Sequence, residues 1–274
     1  MTLFDSLTEK VRTNQPLPWY IDAALAAGSP VYRLGMLLRS LQKSVKVNAR
    51  VISFGNLTAG GTGKTPAVIE CAQHEVANGN RVAVLTRGYG ATVGTRDAIV
   101  FVSSKSQDCA VNIIGDEPAL ILRRVPEVLI VRSADRVAAA RIAIDRHECN
   151  TLILDDGFQY LRLARDENVL VVDVTNPFGN GHVLPRGILR EPVASAARAT
   201  KILLTHCDRV PPGQLDALRA HLRTLCTDCE MRSTYHAPDT LWNVADGAAL
   251  ELEELRGRNV AAVCAIAKPE SFVT

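Results

Sequence analysis

The stretch VISFGNLTAGGTGKTPAV, residues 51 to 68, decides the fold. Val51, Ile52, Ser53 and Phe54 form a β-branched and aromatic run that predicts a buried strand. A glycine-dense turn follows, and Lys64-Thr65 opens a segment with helical spacing. Strand, glycine turn and helix start, in that order, build a cradle for phosphate. Gly60, Gly61 and Gly63 reach backbone angles closed to other residues, so the N–H groups of the run Thr58, Ala59, Gly60, Gly61, Thr62, Gly63, Lys64, Thr65 are expected to face phosphate oxygens beside the positive end of a helix. Lys64 is expected to reach the outer phosphates and the Thr65 hydroxyl to ligand Mg²⁺. The strict pattern GxxxxGK[ST] has glycine where this chain has Thr58, and the flanking strand and helix compensate for that departure.

The second signal is TLILDD, residues 151 to 156, an apolar strand ending in Asp155 and Asp156. Paired carboxylates at a strand's end are the acidic counterpart of a phosphate loop, holding Mg²⁺ directly or through water. Together the two stretches predict an α/β fold with a P-loop NTPase-like sheet and flanking helices, plus a second, smaller α/β domain. The expected division is residues 1–165 for a basic helix and kinase domain and 166–274 for the second domain.

Composition permits this and narrows the rest. The 274 residues are 47% apolar and 22% charged, ordinary for a globular chain able to bury a large core. Seven irregularly spaced cysteines point to free thiols in a reducing compartment, and the single CxxC, Cys226 to Cys229, has no second pair to complete a zinc site. No signal peptide is expected, because Asp5, Glu9 and two prolines interrupt the first twenty residues. No window reaches the roughly eighteen apolar residues of a membrane span. The net charge of +2 is uneven: Lys10, Arg12, Arg33, Arg39, Lys43, Lys46 and Arg50 outnumber Asp5, Glu9 and Asp22, so the positive excess lies in the first fifty residues.

Within that segment Trp19 and Tyr20 precede a helical stripe of Val31, Leu34, Leu37, Leu38 and Leu41, with the basic residues largely off it. Such a helix suits an anionic membrane surface or packs the stripe on its own domain; pattern alone leaves both open. Further strands are expected at 81–86, 98–102, 111–114, 128–131, 168–173, 201–205 and 259–267, and helices after Lys64, at 137–147 and at 211–226. Several strand ends carry chemistry. TRGYG (86–90) presents Arg87 and Tyr89 as ligand contacts or as a plain turn, and GDEP (115–118) presents Asp116 as a helix cap or a catalytic group. Arg136 lies where a helix prefers acids, which a binding role would explain. LPRGILREP (184–192) offers Arg186 and Arg190 to an anionic substrate or to solvent, and THCD (205–208) is a weak likeness to a base-reading NKxD.

GNLTAGGTGKTP, TRGYG, GDEP, Asp135-Arg136, LDDGFQYLRLARD and LPRGILREP occur in an order that resembles the tetraacyldisaccharide 4′-kinase family, from about residue 15 to the end. The resemblance implies transfer of the γ-phosphoryl group of ATP, with Mg²⁺, to the 4′-hydroxyl of a tetraacylated glucosamine disaccharide 1-phosphate, giving lipid IVA. It implies two α/β domains and a basic N-terminal helix docked peripherally on the cytoplasmic face of the inner membrane. Its partners would be the lipid A disaccharide precursor and that anionic surface, with no nucleic acid and no dedicated protein partner. Carried over by motif, Lys64 and the loop hold phosphate, Thr65, Asp155 and Asp156 serve the metal, and Asp116 activates the sugar hydroxyl. Arg136 joins the catalytic group, while Tyr89, Gln159, Arg190 and Glu191 shape the substrate site. Two departures stand out. Tyr160 occupies a position where the family usually has histidine, and an FPDHH-like motif beyond AIAKPESF is missing from this chain. A chain that binds Mg–ATP but turns over slowly is therefore the alternative expectation, beside a switch or metal-insertion GTPase, which would need a true NKxD.

Overall fold

The computed structural model describes residues 3–13, 15–87, 99–102, 114–235, 240–243, 245–259 and 261. Its centre is an eight-stranded sheet built from β1 (Arg50–Gly55), β2 (Val82–Thr86), β3 (Ile99–Val102), β4 (Leu129–Arg132), β5 (Thr151–Leu154), β6 (Glu167–Asp173), β7 (Lys201–Thr205) and β8 (Glu230–Ser233). The order is β3-β4-β2-β5-β1-β6-β7-β8, with β3 antiparallel to β4 and every other neighbour parallel. A two-stranded hairpin, Leu241–Trp242 with Ala249–Leu250, stands apart from it.

The central strands β1, β2, β4, β5 and β6 are largely apolar because both faces are covered. Alternate residues of one strand enter different cores. Ile52, Val84 and Ile153 pack with Val68 and Ala72 of α3 (Lys64–Ala77) and with Ile121 and Leu122 of α4 (Asp116–Arg124). Val51, Ala83, Leu85, Leu152 and Leu154 pack on the opposite face against Val137, Ala140 and Ala143 of α5 (Arg136–His147). Toward β8, Leu170, Val172, Ile202 and Leu204 meet Leu215, Leu218 and Leu222 of α6 (Pro212–Leu225).

β6 pairs in register with β1, Ser53 opposite Asn168, and continues through β7 to β8. The strands within residues 167–233 thus extend the phosphate-loop sheet. β8 was not expected from pattern: EMRS is an exposed edge strand with no apolar run to announce it. Of the expected strand at 111–114, Ile114 is helical and the rest lies outside the described residues, as do Tyr89 and nearly all of the strand expected at 259–267.

At the N-terminus, α1 (Leu3–Arg12) is followed by α2 (Trp19–Ser40), which carries most of the stripe. Trp19 is 81% exposed, and Val31, Leu34, Leu37, Leu38 and Leu41 are all exposed as well, so the stripe does not pack on its own domain. Other residues of α2 hold it to the 182–190 segment. Tyr32 Oη donates to Arg190 O at 3.1 Å, and Asp22 takes a two-point ion pair from Arg186 at 3.0 and 2.9 Å. Gly28 lies where a Cβ would stand 3.1 Å from the Pro185 ring.

Candidate functional site

β1 is central, flanked by β5 and β6, so the phosphate loop leaves its C-terminal end beside the Asp155-Asp156 turn. In parallel sheets this end collects ligands. Two glycines of the loop need their freedom: Gly60 and Gly63 have φ of 121° and 78°. Gly63 caps α3 with no side-chain acceptor for the first-turn N–H groups, which leaves the helix start able to receive an anion. Thr205 Oγ1 donates to Thr62 O at 2.9 Å and fixes that carbonyl toward β7.

The first part of the expected loop behaves differently. Ala59 N–H donates to Ile188 O at 2.7 Å, Arg190 N–H donates to Leu57 O at 2.6 Å, and Thr58 bridges Leu189 in antiparallel fashion. Thr58 and Ala59 are therefore stitched to LPRGILREP and do not line the phosphate cradle, which begins at Gly60. Thr58 in an extended bridge has no need of glycine, which accounts for the departure from the strict pattern.

A cleft of about 900 Å³ brings together residues 60–65, Asp116, Glu117, Arg136, Asp155, Asp156, Gln159 and Arg190. The two aspartates have opposite environments. Asp156, in the left-handed region at φ 56°, lies 3.5 Å from Lys64 Nζ and receives Arg190 Nη1 at 2.7 Å. Burial opposes its ionisation, but the Lys64 and Arg190 charges outweigh it and hold the carboxyl below the usual range. Asp155 is only 3% exposed, and its Oδ1 is buried with no hydrogen-bond partner. Burial, then the charges of Glu117 and Asp156, push it up to about 7.

That orphaned oxygen is where a hard cation fits. Among the described residues no three His, Cys, Asp or Glu side chains could cage a metal by themselves. Two adjacent carboxylates and the Thr65 hydroxyl match how Mg²⁺ is held, by one or two carboxylates with phosphate and water completing the shell.

Asp116 and Glu117 enter the cleft from the first turn of α4, where acids suit the helix dipole. Arg136 opens α5 and is buried, its guanidinium 5.3 Å over the Tyr160 ring. Asp135 caps the same helix through Val137 N–H at 3.0 Å and also accepts from Tyr160 Oη at 3.0 Å. Tyr160 thus orients the α5 start by ring face and hydroxyl, with no charge of its own. The cap offsets the unfavourable cation there.

Two expected contacts fall elsewhere. Glu191 is buried and pairs with Arg198 at 2.5 Å, beside the Phe158 ring, outside the cleft. Tyr89 lies outside the described residues. THCD sits at the shoulder of the phosphate loop: His206 has φ 61° and its Nδ1 lies 3.2 Å from Asp173 Oδ1. Cys226 and Cys229 direct their thiols to the carbonyls of Ala199 and Cys226. Sequence reasoning passed over Arg165, whose half-buried guanidinium binds Gly157 O at 3.2 Å, Asn168 Oδ1 at 3.0 Å and Tyr160 O at 2.5 Å, clamping the Asp-Asp-Gly turn. It also passed over Asn56, one residue beyond β1.

A glycine loop between a buried strand and a helix, with a lysine close to paired aspartates on the next strand, defines a P-loop nucleotide-binding protein. Comparison with known proteins narrows the class. The chain belongs to the tetraacyldisaccharide-1-P 4′-kinase family, whose sequence model it matches over residues 21–274. It is 43% identical over 251 residues to the tetraacyldisaccharide 4′-kinase of Anaeromyxobacter dehalogenans, covering 92% of this chain and 64% of that one. To the enzyme of the same name from Elusimicrobium minutum it is 34% identical over 272 residues, covering 96% and 72%. Among solved structures it resembles LpxK from Aquifex aeolicus, crystallised in complex with ATP, with a TM-score of 0.59 and 26% identity over 80% of this chain and 85% of that one. The chain thus spans 64% of the length of the curated relatives from Anaeromyxobacter dehalogenans.

Proposed function

We propose that this chain carries the ATP-dependent kinase site of lipid A biosynthesis, transferring the γ-phosphoryl group of ATP to the 4′-hydroxyl of tetraacyldisaccharide 1-phosphate to form lipid IVA. The observation that carries the reading is the meeting, in one cleft, of a phosphate loop, a metal-competent aspartate pair and acids on a separate helix. The first two make a donor site, and the acids give an acceptor hydroxyl somewhere to leave its proton.

In this reading Gly60 to Thr65 hold the triphosphate, with Lys64 on its outer oxygens. Thr65, Asp155 and Asp156 hold Mg²⁺, which when bound neutralises charge on the phosphate oxygens. Arg190 and Arg136 supply positive charge to an anionic acceptor, and Gln159 borders it. Asp116 takes the proton of the sugar hydroxyl, a role that needs an ionised carboxylate at the cleft mouth.

The lipid acceptor implies a site close to a membrane. Among the described residues no helix is long and apolar enough to cross one. The exposed apolar ridge of α2, with Arg33, Lys43 and Lys46 also exposed, supports peripheral docking on the anionic cytoplasmic face of the inner membrane.

The test is Asp116→Ala, assayed for Mg–ATP affinity and for transfer of labelled phosphate to tetraacyldisaccharide 1-phosphate. Affinity should hold within about twofold while transfer falls roughly 100-fold or more relative to the unaltered chain, the usual worth of a general base. Equal transfer by both proteins would overturn the assignment.

A further inference from the structure

Asn56 joins three parts of the cleft that are far apart in sequence. Its side chain is fully buried just past β1, at the point where the strand becomes the loop. Lys64 Nζ donates to Asn56 Oδ1 at 3.0 Å, and Asn56 Nδ2 donates to Thr58 O at 2.7 Å. The Asn56 carbonyl accepts from Gln159 Nε2 at 2.9 Å. These partners leave the amide no freedom to flip. An ammonium only donates and a peptide carbonyl only accepts, so Oδ1 must face Lys64 and Nδ2 must face Thr58.

The backbone under Asn56 is equally constrained. Gly157 N–H donates to Phe54 O at 2.7 Å, and a Cβ on Gly55 would stand 2.6 Å from the backbone nitrogen of Phe158. The β1 end and the Asp-Asp-Gly-Phe turn are thus pressed together, and Asn56 is delivered to one place.

We propose that Asn56 is a positioning residue for Lys64, setting where its ammonium stands relative to phosphate and Asp156. This rests on the phosphate-site reading of Lys64. The chemistry explains why an amide serves. An ammonium has three N–H donors; Oδ1 takes one, Asp156 lies near a second, and the third remains for a phosphate oxygen. A carboxylate at position 56 would hold Lys64 as well, but would add a third negative charge beside Asp155 and Asp156 and weaken the attraction for nucleotide. A neutral acceptor directs the lysine while leaving its charge available. Through its backbone carbonyl the same residue keeps Gln159 in register with that lysine.

The experiment is a double-mutant cycle on Mg–ATP affinity, with wild type, Asn56→Ala, Lys64→Ala and the double variant, each checked for native far-UV circular dichroism. Asn56→Ala should weaken binding roughly 10- to 100-fold, as expected for a hydrogen bond to a charged group, and should have little further effect once Lys64 is alanine. The isosteric Asn56→Asp carries the same test if the alanine variant does not fold. It keeps the acceptor and should still lose affinity, because it neutralises Lys64. Wild-type affinity in the Asn56 variants, or the same loss with and without Lys64, would overturn the proposal. Because the cycle reads nucleotide binding, a chain that binds Mg–ATP and fails to phosphorylate the lipid would refute the proposed function while still deciding the role of Asn56.

Discussion

Replacing Asp155 with asparagine should remove a pH-dependent loss of stability that the wild type suffers on approach to neutral pH, together with a proposed metal ligand. The carboxyl ionises near its ordinary 3.8 in the unfolded chain but near 7 in the folded one. Between those values the native state binds the extra proton, so stability falls as pH rises across that window and levels off above it. At about 1.36 kcal/mol for each pH step, the penalty reaches about 4 kcal/mol by pH 8 and about 2 kcal/mol at pH 5. The asparagine amide cannot ionise, although its new N–H groups need partners beside a site that offers Asp155 Oδ1 none. That cost is independent of pH and cancels in a comparison across pH. Urea unfolding of both proteins in chelator should therefore show the stability difference moving in favour of Asp155→Asn by roughly 2 to 3 kcal/mol between pH 5 and pH 8. Added Mg²⁺ with ATP should then raise the wild-type midpoint more than that of the variant. A difference that stays flat across pH 5 to 8 would refute the assignment of Asp155 as a buried carboxyl held near neutrality by its surroundings.

Arg190→Ala should leave Asp156 with Lys64 as its remaining cation, raise the pH at which that carboxyl protonates, and weaken Mg–ATP binding roughly tenfold. Arg190→Lys should restore binding only in part, since the planar guanidinium that brings Nη1 to 2.7 Å from Asp156 is replaced by a flexible ammonium of different reach. Gly55→Ala should cost about 2 to 3 kcal/mol or more in chemical denaturation, because its methyl group would meet backbone atoms of Phe158 that cannot step aside. Leu34→Glu with Leu38→Glu should abolish flotation with vesicles containing anionic lipid while shifting the unfolding midpoint by less than about 0.5 kcal/mol, since both side chains are exposed. Unchanged flotation would remove α2 from the membrane contact.

The parts of the site legible in sequence were those whose chemistry is local. A strand, two glycines with positive φ and a lysine at a helix start are written within residues 51 to 65, and Asp155-Asp156 close an apolar strand in the same direct way. What the two aspartates do differently was not legible. Asp156 meets Arg190 from a loop thirty-four residues away, and Asp155 is set by burial and by Glu117 from α4. Glu191 resisted for the same reason: its neighbour in sequence, Arg190, faces the cleft, and only the fold shows that Glu191 turns inward to Arg198. The stripe on α2 carried the signature of a helix but not of what covers it, because packing and docking demand the same spacing. The edge strand β8 has no periodic signal, since neither of its faces is deeply buried.

The attachment of α2 has a mechanical consequence. Arg190 accepts Tyr32 on its carbonyl and grips Asp156 with its guanidinium, so one residue separates the apolar ridge from the phosphate end of the cleft. Tyr32 and Gln42 themselves form part of the cleft wall. The ridge is then no tether swinging a catalytic body from a distance. With α2 docked as proposed, it would set the height at which the cleft opens, and a headgroup hydroxyl held at that level would need no long excursion out of its lipid layer to meet the phosphate.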